Sequence, residues 1–306
     1  MAIEVIRDGA DLPPAQVLAA VRAAFAALAR GEAAQPAQLL VPLAGGGDVI
    51  TYPGLVEPAG VYGVKVSPYL PQPGGPALVT AWTLLISLTT GEPVLLCDAK
   101  ALTAQRTAAT SALAVDLLAR PGAATLAVIG GGPLARAHVR YARQVRPFTD
   151  IRVATRSGRV DLAAFTAEAG DVPVRAVASA AEAADGADVV LACTSAAQPV
   201  LDVAALPAGT VVTSISTNAP DAHEVDPAAL AGLEVYCDHR PSATAAAGEM
   251  RLAVRRGLWS ADAVRGDLAG LVGGSDPGPT GSRVVFFRSV GLGIEDIAIA
   301  GLLSRS

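Results

Sequence analysis

Three groups of residues have types and spacings that could do chemistry. The first lies in TLAVIGGGPLARAHVRYA, residues 125–142, where an apolar strand runs into a glycine cluster and then an amphipathic helix. From Gly130 the pattern is GxGxxA. Gly130 permits a tight turn, Gly132 lets the backbone approach a pyrophosphate, and Ala135 lets the helix pack close to the strand. Pro133 and Leu134 open the helix, where a proline costs no hydrogen bond. The free N–H groups and the helix dipole favour an anion there. A βα turn that binds nothing is the bland alternative. The strand before, the helix after and the further βα units favour a dinucleotide.

The second group is IRVATRSGR, residues 151–159. A site for NAD usually carries an acid about 20 residues beyond the glycines, to bond the ribose 2′-OH. This stretch ends in Arg156, Ser157 and Arg159, with no acid. Arg156 can meet a 2′-phosphate in a charge-assisted bond and stack on adenine, with Ser157 beside it. NADP(H) is therefore favoured over NAD(H). Solvated loop arginines are the alternative, more so for Arg159 than for Arg156.

The third group is a pair of cations. Arg106 suits a planar carboxylate through two parallel N–H bonds, or is a helix-surface arginine in water. Lys65 stands in an otherwise apolar strand. Burial lowers the pKa of a lysine, so it could polarise a carboxylate or donate a proton; otherwise it guards an edge strand. His138, His223 and His239 read as structural or surface residues. Cys97, Cys193 and Cys237 are far apart in apolar runs, with no spacing for zinc, and read as buried thiols.

The elements that must position these groups fall into two patterns. PPAQVLAAVRAAFAALARG sets Val17, Val21, Phe25 and Leu28 on one helical face. QLLVPL and DVITYP flank AGGG as a hairpin, VYGVKVSPYLP is a strand, and VTAWTLLISL and PVLLCDAKAL flank TTGE as a second hairpin. TAQRTAATSALAVDLLARPG then reads as a long helix. After it, TLAVIG, IRVATR, DVVLAC, TVVTSIS and LEVYCD alternate with helical pieces, the mark of a parallel, doubly wound sheet. The strand RVVFFRS and the helix GIEDIAIAGLLSR close the chain. The expected fold class is α/β. Residues 118–282 form a Rossmann-type dinucleotide-binding domain. Residues 1–117, completed by 283–306, form an α+β domain for substrate and dimerisation.

The composition narrows the partners. The 306 residues are 52% hydrophobic and 17% charged, with a net charge of −5. Such a chain is not disordered. Without a basic run it is not expected to bind nucleic acid. With no long apolar stretch and a charged, proline-containing start, a cytoplasmic protein without membrane attachment is expected.

Together GVKV (63–66), TGEPVLLCDAKALTAQRTAATSALA (90–114), VIGGGPLARAH (128–138), ACTSAAQPVL (192–201) and FFRSVGLGIEDIA (286–298) resemble the ornithine cyclodeaminase/μ-crystallin family, which includes ketimine reductases and alanine dehydrogenases. The resemblance spans nearly the whole chain. It implies a homodimer with active sites between the two domains, and hydride transfer between a nicotinamide and the Cα of an amino or imino acid. It implies that Lys65 is the active-site lysine and that Arg106 holds the substrate carboxylate. Thr80 resembles a substrate contact, and Thr107, Thr194 and Ser195 fall where the family contacts cofactor. SVG at 289–291, with Val290, falls near the nicotinamide.

Two departures matter. The family often has arginine where QPAQLLVPL places Gln38, so the carboxylate clamp loses a cation. Cyclodeaminases carry an aspartate that aligns with Asn218 in ISTNAPDAHEVD, with Asp221 as an alternative register. An amide takes no proton at neutral pH. Cyclodeamination needs acid–base help at several steps, whereas imine reduction needs one hydride and one proton. An imine reductase or amino-acid dehydrogenase is the expected function. An ammonia-releasing cyclodeaminase and a non-catalytic NADPH-binding protein are the alternatives.

Overall fold

The structure is a computed structural model, and it describes residues 3–217, 219 and 221–304. The chain divides into two compact units, Met1–Arg106 with Gly291–Ser306, and Thr107–Val290.

The first unit is built on an eight-stranded sheet. Its strands are β1 (Glu4–Ile6), β2 (Ala33–Ala34), β3 (Leu39–Pro42), β4 (Asp48–Val56), β5 (Val61–Gln72), β6 (Gly75–Val79), β7 (Trp82–Ser87) and β8 (Pro93–Asp98). The two expected hairpins are β3–β4 and β7–β8. All pairings are antiparallel except β1 with β8, an edge strand that the charged start of the sequence does not announce. Helices α1 (Pro14–Ala29) and α9 (Gly293–Leu303) cover one face. Val17, Val21 and Phe25 of α1 are buried as the period requires, whereas Ala24 and Ala27 are buried more fully than Leu28.

Gly54 and Gly63 stand opposite each other in β4 and β5. Glycine weakens a strand interior, so its presence here asks for a reason. A Cβ at Gly54 would lie 2.7 Å from the backbone nitrogen of Ile294, and one at Gly63 would lie 2.8 Å from a side-chain carbon of Ile297. The two glycines let α9 lie directly on the sheet. The opposite face of the sheet is apolar and partly open, with Leu39, Val41, Tyr62 and Val66 exposed.

The second unit holds the parallel sheet. Its strands are β9 (Thr125–Ile129), β10 (Asp150–Ala154), β11 (Val174–Ala176), β12 (Val189–Ala192), β13 (Val211–Ser214), β14 (Glu234–Cys237), β15 (Gly266–Asp267) and β16 (Val285–Arg288). They run in the order β11-β10-β9-β12-β13-β16-β14-β15, every pair parallel. Central strands buried on both faces read as unbroken apolar runs, and VVLA, VVTS and VFFR are buried throughout. The helices are α3 (Pro133–Ala142), α4 (Leu162–Ala169), α5 (Ala180–Ala184), α6 (Arg240–Ala246), α7 (Gly248–Arg255) and α8 (Leu268–Gly273).

Both expected boundaries move. The division between units falls inside the long helix α2 (Lys100–Leu118), between Arg106 and Thr107. The return to the first unit comes at Gly291 rather than at 283, because β16 is hydrogen-bonded between β13 and β14. A strand near the end of a chain can insert into the middle of a sheet, and sequence order does not reveal where.

Candidate active site

The first unit concentrates charge at one point. Lys65 projects from β5 on the face that α9 covers and is 1% exposed. Its Nζ donates to Asp296 Oδ1 at 2.9 Å, lies 2.9 Å from Oδ2, and reaches Thr103 Oγ1 at 3.5 Å. The ammonium also sits 4.3 Å from the centre of the buried Tyr52 ring, a cation–π contact. Arg106, from α2, donates from Nε to the same Asp296 Oδ1 at 3.0 Å and from Nη1 to Glu295 Oε2 at 3.1 Å. Asp296 therefore serves both cations at once.

Burial and the neighbouring Arg106 charge push Lys65 down to about 8, against the pull of Asp296 and Glu295. Burial works the same way on Arg106, but the charges of Asp296 and Glu295 outweigh it and hold Arg106 above its ordinary range. Gly291, with φ +78°, makes room for the guanidinium, since a Cβ there would collide with its nitrogens.

The second unit carries a cavity of about 680 Å³ at the C-terminal ends of β9, β12 and β13. Open α/β sheets bind their ligands at that edge. Gly130, Gly132, Pro133, Leu134, Arg156, Thr194 and Ser195, all singled out in the sequence, line it, with Ile215, Ser216 and Thr217 from the loop after β13. Gly130 has φ +130° and packs against the Cys193 carbonyl. Nothing lies within 4 Å of a Cβ placed on Gly132, so the backbone there is open to a ligand. A glycine turn opening a helix, with small residues beneath it, fits the pyrophosphate of a dinucleotide.

His138 fixes this helix from behind. Its ring contacts Leu134 O at 2.7 Å and Ser111 Oγ at 3.0 Å, and burial lowers it to about 4, so it is neutral at pH 7. Cys97, Cys193 and Cys237 are buried and free, as expected. Among the described residues no cluster of His, Cys, Asp or Glu could hold a metal, and no helix is long and apolar enough to cross a membrane.

None of the other described residues singled out in the sequence lines the cavity. Thr107 is buried in α2, and exposed Ser157 accepts a hydrogen bond from Arg159 N at 3.3 Å without lining the cavity. Gln38 is half-buried just before β3. Thr80 is half-buried, its carbonyl accepting from Ser67 Oγ at 3.2 Å. Val290 is pinned by its N–H to Asp238 Oδ2 at 2.6 Å. Asn218 lies outside the described residues. Asp221 is ion-paired to Arg255 at 2.7 Å, and the Arg255 bond chiefly keeps its carboxyl below the usual range.

Motif reading misses Tyr52, Glu295, Asp296 and Glu224. One signal was available for two of them. GIEDIAIAGLL places two adjacent acids in an apolar helix, and charges buried in such a face need partners.

Residues 9–305 match the ornithine cyclodeaminase/mu-crystallin family. The chain is 50% identical over 291 residues to an NAD(P)H-dependent anabolic L-arginine dehydrogenase of Pseudomonas aeruginosa, covering 94% of this chain and 91% of that one. Among solved structures it resembles Δ1-pyrroline-2-carboxylate reductase of Thermococcus litoralis in complex with NADH and L-proline, with TM-score 0.90, 25% identity and coverage of 99% and 96%. It also resembles iminosuccinate reductase of Paracoccus denitrificans in complex with NAD+, with TM-score 0.89, 27% identity and the same coverage. With a match over nearly its whole length and such relatives, the chain belongs to the ornithine cyclodeaminase/mu-crystallin family.

Proposed function

We propose that the protein is an NAD(P)H-dependent oxidoreductase acting at the Cα–nitrogen bond of a small amino or imino acid, and that its substrate is a cationic amino acid of the arginine type. The observation that carries this reading is 50% identity, over nearly the full length, to an L-arginine dehydrogenase. The ionic cluster of one unit and the glycine-turn cavity of the other support it.

Arg106 is the group whose fork suits the substrate carboxylate. Lys65 is the group that moves a proton, giving one from Nζ to the substrate nitrogen in reduction and taking it back in oxidation. Asp296 orients both cations through one carboxylate. When bound, the nicotinamide supplies or accepts the hydride at Cα. Hydride and proton together convert C=N to CH–NH. Asn218, in place of the cyclodeaminase aspartate, favours this single redox step over ring closure with loss of ammonia.

NADP(H) is preferred over NAD(H), because Arg156 stands at the rim of the cavity where an acid for the ribose would stand. The first unit receives the substrate and dimerises; the second holds the cofactor. The open apolar face of the first sheet supports a homodimer, since a patch with Leu39, Val41, Tyr62 and Val66 exposed calls for a partner.

The test follows NAD(P)H absorbance with a panel of L-amino acids and, in reverse, with 2-oxo acids plus ammonium. Arginine and its 2-oxo acid should be among the best substrates, with stoichiometric change in cofactor. Ammonia release without net change in cofactor would refute the oxidoreductase reading. Light scattering should give a dimer at micromolar concentration, and Tyr62→Glu should shift it toward monomer.

A further inference from the structure

We infer that Glu224 is the positioning residue that builds the dinucleotide pocket by holding the ends of two neighbouring strands, an inference that rests on reading that pocket as an NAD(P)H site. Glu224 is fully buried. Its Oε1 accepts from the backbone N–H and the hydroxyl of Thr194, each at 2.7 Å. Its Oε2 accepts from the Ser214 hydroxyl at 2.7 Å and the Ser216 N–H at 2.9 Å. Thr194 lies just past β12, Ser214 ends β13, and Ser216 lies two residues on. Thr194 and Ser216 both line the cavity. The backbone carbonyl of Glu224 also accepts from Val200 N at 2.9 Å, and Val200 is a further lining residue.

Four donors converge on two oxygens. A carboxylate accepts on both oxygens and donates from neither, so it satisfies all four. Glutamine has the same shape but would turn an NH₂ group toward two of the donors.

The backbone gives a second, independent observation. Ser216 has φ +47°, a left-handed conformation that a non-glycine residue adopts at a cost. Such strain persists only where surrounding contacts determine it, and the Ser216 N–H bond to Glu224 is such a contact. The Ser216 hydroxyl is buried and finds no hydrogen-bond partner among the described residues. The serine thus holds this conformation without a side-chain hydrogen bond among those residues. Glu224 acts on the pocket through Thr194 and Ser216.

The test titrates NADPH and NADH, by nucleotide fluorescence, into the wild type, Glu224→Gln, Ser214→Ala and the double variant Glu224→Gln/Ser216→Gly. Loss of charge-assisted bonds should raise the dinucleotide Kd of Glu224→Gln by about tenfold or more. Its dinucleotide KM should rise in parallel, with the amino-acid KM within about threefold of wild type. Glycine adopts the left-handed conformation without help, so the double variant should recover a substantial part of the lost affinity. A purely structural role would not give that rescue. Ser214→Ala removes one donor and should raise the Kd by roughly threefold; it decides the matter if Glu224→Gln does not fold.

A wild type that binds neither nucleotide overturns the cofactor reading itself. If the wild type binds, any of three results overturns this inference alone. They are a wild-type Kd in Glu224→Gln (in Ser214→Ala, if Glu224→Gln does not fold), amino-acid and dinucleotide KM values rising in step, and a double variant that binds no better than Glu224→Gln.

Discussion

The ionic cluster of the first unit and the cavity of the second are built from opposite materials. Lys65, Arg106, Glu295 and Asp296 are long charged side chains, none more than 5% exposed, and each depends on the charge of the others. The cavity is mostly backbone and small residues, with the glycine turn on one side, the loop after β13 on the other and Arg156 at the rim. A region made of mutually compensating charges is tied to the stability of the fold. A region made of backbone path tolerates many side-chain changes, and what it loses first is affinity. Substitutions in the cluster should therefore be read in unfolding experiments as well as in rates, and those around the cavity chiefly in binding.

The largest expected effect is that of Asp296→Ala. It leaves Lys65 and Arg106 buried with Glu295 as the remaining carboxylate of the cluster among the described residues. Removing one partner from a buried ion pair costs about 3–5 kcal/mol, most of it the burden of the uncompensated charge. Urea unfolding of wild type and variant should show a loss of that size. A loss below about 1 kcal/mol would mean that water reaches the cluster, and the contrast with the cavity would fail. Arg106→Ala should also destabilise, by stranding Glu295 and Asp296, and should abolish turnover of carboxylate-bearing substrates while dinucleotide binding persists.

The same contrast explains what could be read from the sequence. The glycine turn was legible because backbone conformation restricts residue type: Gly130 at φ +130° leaves a recognisable pattern between an apolar strand and a helix. The parallel strands were legible for the same kind of reason, since burial on both faces demands unbroken apolar runs. The cluster was only half legible. Lys65 and Arg106 stood out as cations, but α9 joins them to Asp296 across 231 and 190 residues of chain. No local pattern encodes that pairing. Gly54 and Gly63, which let α9 approach, look in sequence like ordinary strand weakeners. Glu224 was invisible as a site residue because it acts through four donors from three other residues. The insertion of β16 into the parallel sheet is likewise a matter of topology that residue types do not carry.

A smaller effect follows from the Lys65 pKa, about 8 in the folded chain against an ordinary 10.5. Between these values the unfolded chain holds a proton that the folded chain has released. Unfolding therefore takes up a proton, and stability rises with pH across that window. Below about pH 8 the full cost of burying the charged lysine is present. Relative to Lys65→Met, the wild type should gain up to about 3 kcal/mol between pH 8 and pH 10.5. Catalysis should run the other way in the reductive direction: if Lys65 delivers the proton, the rate falls as pH rises through about 8, and the oxidative rate rises there. Lys65→Arg should remove that limb from the pH–rate profile. An unchanged limb would show that another group delivers the proton.

The smallest effect in energy tests the cavity side of the contrast. Arg156 is exposed at the rim, and a surface substitution there should leave the unfolding midpoint nearly unchanged, within about 0.5 kcal/mol. The part in binding proposed for it is specific. A charge-assisted bond to a 2′-phosphate is worth roughly 1.5–3 kcal/mol, and NADH has no such group, so the term appears for NADPH alone. Arg156→Ala should therefore weaken NADPH binding by about tenfold or more and NADH binding by much less, bringing the two affinities together. Arg159 is the internal control. It is exposed in the same loop but does not line the cavity, and its backbone N–H is held by Ser157 Oγ at 3.3 Å. Arg159→Ala should change the ratio of the two affinities by less than about threefold, on the scale of an exposed charge acting through water. Titration of both nucleotides into the three proteins decides it. Equal affinities in the wild type would remove the preference altogether, and equal losses in the two variants would mean that the loop attracts phosphate by net charge rather than through Arg156.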